Sequence, residues 1–273
     1  MKFGLIGEKL SHSYSPLIHD LFFKITGING EYKLFEIERK DIGRFLQNAR
    51  KEGFTGLNVT IPYKTDVIPY LDELSQEAEK INAVNTISFN DRVCGYNTDY
   101  FGLDYTFKKH SVGVNGKKVL VTGSGGAAKA VVSYLVDNKA KEIYIASRDN
   151  VKAGDKFPEA KAVSYSDIKE YCPFDIIINT TPVGMHPNPG LSPLTKEQIR
   201  GAFFLFDLIY NPPVTKLIEI AGSLGIPHTN GLYMLTAQAV KAQEIWNRKE
   251  YGIEMVDRII SGMDINLMKE NFR

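Results

Sequence analysis

Three features of the chain predict an α/β fold whose second part is a parallel, doubly wound sheet. The first is the stretch Val119-Leu-Val-Thr-Gly123-Ser-Gly125-Gly126-Ala-Ala128, in which an apolar run enters a glycine-rich turn and residues 127–135 leave it with helical composition. The second is the alternation that follows. Short apolar runs at residues 142–146, 175–179 and 203–207 are separated by helical patterns at 167–171 and 215–224, as in a parallel sheet with crossover helices. The third is the late position of the turn. A long segment with its own strand and helix patterns precedes it, so 273 residues suit two domains better than one.

The glycine turn has the strand–turn–helix context that dinucleotide binding requires. Gly123 permits a tight turn, Gly125 lets the backbone approach a pyrophosphate, and the small Ala128 lets the helix pack on its strand. The helix start also offers unpaired N–H groups and a partial positive charge to phosphates. Such turns serve ordinary connections too, so the surrounding residues have to decide.

Composition narrows the field. Hydrophobic residues at 43% and charged residues at 24% are ordinary for a globular chain. Lys+Arg of 33 against Asp+Glu of 32 provides no basic field for nucleic acid. Cys94 and Cys172 lack metal-ligand spacing and form no disulfide framework, which fits a reducing, cytoplasmic setting without a metal. The first residues are too poor in apolar side chains for a signal peptide, and no apolar run is long enough to span a bilayer.

Taken in order, residues 2–6 read as a strand ending at Gly7, followed by Ser11, Ser13 and Ser15 around a helix start. Ser15 suits the cap, Pro16 the first turn, and Leu17, Ile18, Leu21 and Phe22 the buried stripe. Three hydroxyls there also suit a polyhydroxylated ligand, since each donates and accepts. A strand at 31–37 precedes a helix capped by Asp41 and stopped at Gly53. The strand at 56–61 delivers Asn58, Thr60 and Lys64 near its end, with Pro62 shaping the turn. Ligand groups gather at such strand ends, although a solvated lysine is the ordinary alternative.

Residues 71–81 read as a helix, with Asn82 in a left-handed exit before Ala83-Val-Asn85-Thr. A hairpin over 88–95 turns at Asn90-Asp91, and Asp99 stands where it would cap the helix at 100–109. Further on, strand ends carry Ser147 with Arg148, Thr180, and Tyr210. Gln238 lies inside an apolar helical pattern, where an unpaired amide is costly. Helices to about Trp246 and over 256–267 close the chain.

The order and spacing of these motifs resemble the shikimate dehydrogenase family from residue 4 to about residue 246. The resemblance rests on His12-Ser-x-Ser-Pro16, Asn58-Val-Thr-Ile-Pro-x-Lys64, Ala83-Val-Asn-Thr86 and Gly95-x-Asn-Thr-Asp99, then on Gly123-x-Gly-Gly-Ala, Asn179-x-Thr-Pro-Val-Gly-Met185, Asp207-x-x-Tyr-Asn-Pro212 and Gly231-x-x-Met-Leu-x-x-Gln238. It implies an N-terminal α/β substrate domain, 1–101 completed by helices in 237–273, and a Rossmann-type NADP domain at 102–236. It implies a catalytic pair, Lys64 and Asp99, and substrate contacts from Ser13, Ser15, Asn58, Thr60, Asn85, Asp99, Tyr210 and Gln238. The cofactor would meet Gly123, Ser124, Gly125, Gly126, Ala127, Ser147, Arg148, Thr180 and Gly231. The implied partner is a small ring acid, shikimate or 3-dehydroshikimate, with no nucleic acid or membrane and a monomeric or homodimeric state.

The implied chemistry is reversible, NADPH-dependent ketone reduction, with relaxed quinate or NAD use as the alternative. A folate-linked dehydrogenase would leave Lys64 and Asp99 unexplained, and a non-catalytic NADP sensor would not need the pair intact. Lys9, Asn82, Ser124 and Gln243 depart from common family residues, Gln243 standing where an aromatic is frequent. The largest departure is Ala146-Ser-Arg-Asp149 in place of Asn-Arg-Thr. Arg148, helped by Lys129, is expected to bind the 2′-phosphate of NADP, and the carboxylate of Asp149 to oppose it and weaken the preference over NAD.

Overall fold

The computed structural model describes residues 1–10 and 13–263. Ser11 and His12 of the hydroxyl-rich turn, and the last residues of the expected final helix, lie outside the described residues. The chain divides into one unit of Met1–Gly102 with Thr236–Arg273 and a second of Leu103–Leu235.

In the first unit, β1 (Lys2–Gly7) leads to α1 (Ser15–Thr26), β2 (Glu31–Glu36), α2 (Ile42–Lys51) and β3 (Phe54–Val59). There follow β4 (Glu73–Leu74), α3 (Gln76–Ile81), β5 (Thr86–Phe89), β6 (Val93–Tyr96) and the start of α4 (Thr98–Lys109). The six strands run in the order β2-β1-β3-β5-β6-β4. β1 is parallel to both β2 and β3, while β5 is antiparallel to its neighbours β3 and β6, so this sheet is mixed. Ile6, Leu57, Val59 and Ile87 anchor its core with the buried face of α2.

Local chemistry differs from the sequence expectation at several helix starts. Ser15 is the first residue of α1 rather than its cap; the Ser15 N–H donates to Ser13 Oγ at 3.2 Å. The stripe that α1 buries is Ile18, His19, Phe22 and Phe23, with Leu17 exposed. Asp41 precedes α2 but makes no cap bond, because its carboxylate accepts from Arg44 at 2.8 Å. The expected helix at 71–81 is broken up. Asp72 accepts from the Val93 N–H at 2.8 Å, which brings β4 alongside β6, and only then does Ser75 cap α3 by accepting from the Ala78 N–H. Asn82 does end α3 in the left-handed region, at φ 51°.

The second unit contains β7 (Lys118–Thr122), α5 (Gly126–Asp137), β8 (Glu142–Ala146), α6 (Asn150–Lys156), β9 (Lys161–Val163) and α7 (Ile168–Tyr171). It continues with β10 (Ile176–Asn179), α8 (Lys196–Ile199), β11 (Phe204–Asp207), α9 (Lys216–Ser223) and β12 (His228–Thr229). Its strand order is β12-β11-β10-β7-β8-β9, every pairing parallel. The chain winds one way from β7 to β9 and the other way from β10 to β12, so the turn after β7 lies at the switch point where doubly wound sheets bind ligands. The interior strands are buried on both faces and read as continuous apolar runs, as in Ile176-Ile-Ile178.

α10 (Leu232–Asn247) and α11 (Gly252–Gly262) complete the described chain. The part of α10 in the first unit is anchored by Trp246, whose indole N–H donates to Ile87 O at 2.9 Å and whose ring stacks on Phe3 at 4.8 Å. Glu244 then accepts the backbone N–H groups of Tyr251 and Gly252, both at 2.8 Å, and starts α11, which packs against α1. A Cβ on Gly56 of β3 would overlap the Trp246 indole. Gly56→Ala should therefore cost about 1–3 kcal/mol by overpacking, seen as a lower denaturant midpoint; unchanged stability would show that Trp246 does not need this close approach.

Candidate active site

In the first unit, the polar residues singled out in the sequence converge at the ends of β3, β5 and β6 and the start of α4. Lys64 follows β3 in a turn held by a 2.7 Å hydrogen bond from the Val84 N–H to Lys64 O. Its ammonium meets Asp99 Oδ2 at 2.5 Å. The other oxygen, Asp99 Oδ1, accepts from Asn85 Nδ2 at 2.9 Å. Asp99 is thus not the cap of α4. The helix begins one residue earlier, and Asn85 Oδ1 accepts the Thr98 N–H at 2.7 Å, which does the capping from a neighbouring segment. That leaves the Asp99 carboxylate for Lys64. The side chains of the pair are 25% and 16% exposed, so water screens them less than a surface ion pair.

Asn58 lies within β3, 5% exposed. Its Nδ2 donates to Asn85 O at 3.2 Å and Thr86 Oγ1 at 3.0 Å, and its Oδ1 accepts from the Tyr32 hydroxyl at 2.8 Å. Both hydrogens are committed inside the protein, so Asn58 shapes the wall. Thr60, just past β3, is half-buried. Gln238 on α10 is half-buried, and its Oε1 accepts from the buried Thr98 hydroxyl at 3.3 Å, which provides the partner an amide in an apolar pattern requires. Ser15 is buried and Ser13 half-buried.

In the second unit, β7 ends in the glycine turn. Gly123 has φ +90°, and a Cβ there would crowd Thr180 and Thr181. Thr180 donates to Thr122 O at 2.7 Å and clamps the turn. Beside Gly125 and Gly126 an added Cβ would meet nothing within 4 Å, and Gly125 starts α5 without a side-chain cap, so the N–H groups of a twelve-residue helix face open space. Ala127 is half-buried in its first turn. Ser124 and Ser147 join the turn to the end of β8 through a 3.0 Å hydroxyl contact, and Arg148 is exposed beyond it. Gly231 packs so close to the Leu208 carbonyl that a Cβ would collide with it. Tyr210 belongs to this unit, and burial pushes its phenol pKa up.

Two residues here alter the sequence reading. Asp149 is the cap of α6: Oδ1 accepts from the Lys152 N–H at 3.1 Å, Oδ2 pairs with Lys152 Nζ at 3.1 Å, and those bonds lower its pKa. A carboxylate so engaged opposes a nearby phosphate less than a free one. Lys156, not singled out in the sequence, reaches back from the end of α6 to donate to Ser124 O at 2.5 Å. That bond puts a second amine beside the turn, and desolvation and Lys129 lower its pKa, against the charged form. Asn179 and Asp207, conspicuous as motif residues, are scaffold: buried Asp207 accepts from Asn179, Thr215 and the Ile209 N–H, and desolvation pushes its pKa up.

Comparison with known proteins decides the family. The family model described as "Shikimate dehydrogenase substrate binding domain" matches residues 5–87, and "Shikimate / quinate 5-dehydrogenase" matches residues 106–208. A shikimate dehydrogenase (NADP(+)) of Clostridium beijerinckii is 44% identical over 89% of this chain and 91% of its own. The chain belongs to the shikimate dehydrogenase family. Among solved structures, a chorismate mutase/shikimate 5-dehydrogenase fusion protein from Clostridium acetobutylicum matches with TM-score 0.93 and 41% identity, covering 100% of this chain and 98% of that one. Shikimate 5-dehydrogenase of Thermus thermophilus, in complex with NADP(H) and shikimate, matches with TM-score 0.86 and 28% identity over 96% and 100%. Among the described residues no group of three His, Cys, Asp or Glu is placed to hold a metal, and no helix is long and apolar enough to cross a membrane.

The capping geometry gives a direct check. Asp149→Ala should lower the thermal midpoint, while Asp149→Thr, which keeps a capping oxygen, should hold it. Equal loss in both variants would mean that the charge, not the cap, stabilises α6.

Proposed function

We propose that the chain catalyses the reversible reduction of 3-dehydroshikimate to shikimate with NADPH, in the biosynthesis of chorismate and the aromatic amino acids. The observation that carries this reading is the Lys64–Asp99–Asn85 arrangement in a chain of this family. Two free cysteines support a cytoplasmic setting, and a monomer or homodimer remains the expected state.

The residues of the second unit fit NADP. Open space at Gly125 and Gly126, uncapped N–H groups of α5, and the cations Arg148 and Lys156 suit a pyrophosphate and a 2′-phosphate. Ser147, Thr180, Ser124, Ala127 and Gly231 would line the same face. When bound, NADPH supplies a hydride to the ketone carbon.

The chain's own residues handle the oxygen. As negative charge grows there, the Lys64 ammonium stabilises it and passes a proton from Nζ to the oxygen. In the oxidative direction Lys64 takes a proton from the hydroxyl, so alkaline pH favours that direction. Asp99 holds the ammonium in place, and Asn85 fixes the carboxylate by binding its second oxygen. Ser13, Ser15, Thr60, Asn85, Gln238 and Tyr210 are assigned to substrate hydroxyls and carboxylate, with Asn58 as their support.

Shikimate, NADP and protein together should generate NADPH absorbance, faster than with quinate; the reverse order would sink the substrate assignment. Lys64→Ala should lower kcat by about 10²–10⁴-fold with a smaller change in KM. Lys64→Arg should not rescue it, since guanidinium scarcely releases a proton. Asp99→Asn should also cripple turnover, and an active Asn variant would return Asp99 to a purely structural role.

Cofactor choice tests the second unit. Arg148→Ala should weaken NADP about tenfold or more and leave NAD nearly unchanged, consistent with losing a charge-assisted contact. Asp149→Thr should sharpen NADP preference only modestly, because Lys152 already engages that carboxylate. NAD outperforming NADP in the unaltered protein would show that Asp149 reads the ribose.

A further inference from the structure

The last residues of β7, β10 and β11 are Thr122, Asn179 and Asp207. They lie level in the sheet, Asn179 pairing with Thr122 on one side and with Asp207 on the other. Level residues of parallel strands point to one face, so the three side chains stand in a row. All three are 0% exposed, as is Thr215, the cap of α9. The steps above do not use this row.

The Thr181 N–H can only donate, and it meets Asn179 Oδ1 at 3.0 Å, which fixes the orientation of the amide. The Thr122 and Thr181 hydroxyls donate to the same oxygen at 2.8 and 2.7 Å. Asn179 Nδ2 therefore faces Asp207 Oδ1 at 2.9 Å and donates to it. The Ile209 N–H reaches that carboxylate oxygen too, at 3.1 Å, so Oδ1 accepts twice. The other oxygen, Oδ2, takes the Thr215 hydroxyl at 2.6 Å. Burial pushes the Asp207 pKa up, and these three donors pull against it. A carboxylate drawing on Nδ2 also polarises the amide, which strengthens the oxygen that holds Thr122 and Thr181.

Asp207 thereby acts on both ends of residues 181–184. At one end, Thr181 gives its hydrogen to Asn179, and its Oγ1 accepts the Val183 N–H at 3.2 Å. At the other end, a Cβ on Gly184, at φ +98°, would lie 3.6 Å from Thr215 Cβ, so the backbone there runs against Thr215. The segment borders the glycine turn: a Cβ on Gly123 would lie 2.9 Å from Thr181 Cγ2. Thr180 clamps the Thr122 carbonyl, and the side chain that holds the next residues is Thr181.

We propose that Asp207 is a positioning residue for the cofactor: by holding Asn179 and Thr215 it sets the course of residues 181–184, which form one wall of the crevice beside Gly123 where NADP would lie. That crevice is the switch point between β7 and β10, where doubly wound sheets place their ligands. The link to NADP rests on the cofactor assignment above.

Asp207→Leu and Asp207→Asn separate this role from plain stability. The amide of the Asn variant can still offer its oxygen to Asn179 and Ile209 and its nitrogen to Thr215 Oγ1; leucine offers neither. NADPH binding, followed by the fluorescence of the nucleotide, should weaken about tenfold or more in Asp207→Leu and stay within about threefold in Asp207→Asn. The KM for shikimate at saturating NADP should change much less in both. Thr181→Val keeps the methyl beside Gly123 and removes only the hydroxyl, so it should weaken NADPH binding about fivefold. Combined with Asp207→Leu it should add little, since both changes act on one segment. A folded Asp207→Leu protein with unaltered NADPH affinity overturns the proposal, as does an Asn variant as weak as the Leu one, or a double variant whose losses multiply in full. If leucine prevents folding, unchanged binding in Thr181→Val overturns it. An unaltered protein that binds NADPH but does not oxidise shikimate would instead sink the proposed reaction, and the binding series would still decide the role of Asp207.

Discussion

A carboxylate has two oxygens, and at Asp99 each has one partner: the Lys64 ammonium on one side and the Asn85 amide on the other. The polar face of the first unit is arranged around that division. It requires Asn85 to present its nitrogen to Asp99 and its oxygen elsewhere, and the oxygen is held by the Thr98 N–H and by the Thr86 hydroxyl. The first turn of α4 is therefore satisfied by the same amide that restrains the carboxylate. A residue that merely capped the helix would have spent the carboxylate on backbone N–H groups and left Lys64 without an orienting partner.

The second unit solves a different problem, that of keeping backbone N–H groups available. Two neighbouring helices of this unit cover a first-turn N–H group with a side chain, Asp149 for α6 and Thr215 for α9. α5 leaves its start uncovered, and the turn before it is stiffened from behind by Thr180 instead. Lys156 of α6 donates to Ser124 O in that turn, and Arg148 is exposed just past β8, so the two basic side chains come from separate parts of the sequence.

Much of this was legible in the chain because the signals are local. The glycine turn, the alternating runs after it and the left-handed Asn82 each depend on residues a few positions apart. The roles of Ser15, Asp41, Asp99 and Asp149 were harder, because all four are types that cap helices, and side-chain partners that the sequence pattern does not single out decide which one does. Asp41 loses its cap to Arg44, Asp99 loses its own to Asn85, and Asp149 keeps it. The stretch at 71–81 failed for a related reason: a two-residue strand has no periodicity, and β4 exists because Asp72 finds Val93. The pairing of His19 with Gln243 spans 224 positions and carries no motif at all.

Two buried titratable groups, His19 in the first unit and Asp207 in the second, respond to acid with opposite sign. His19 is held neutral, so the unfolded ring, titrating near its ordinary 6.5, takes up a proton that the folded one refuses. Its contribution is complete above that value and drains away as pH falls toward about 3. Asp207 has the reverse sign, since burial raises its pKa: its contribution is complete below the usual carboxylate range and lost as pH rises through the raised value. Falling pH therefore works against the folded form at His19, where unfolding takes up a proton, and for it at Asp207, where unfolding releases one.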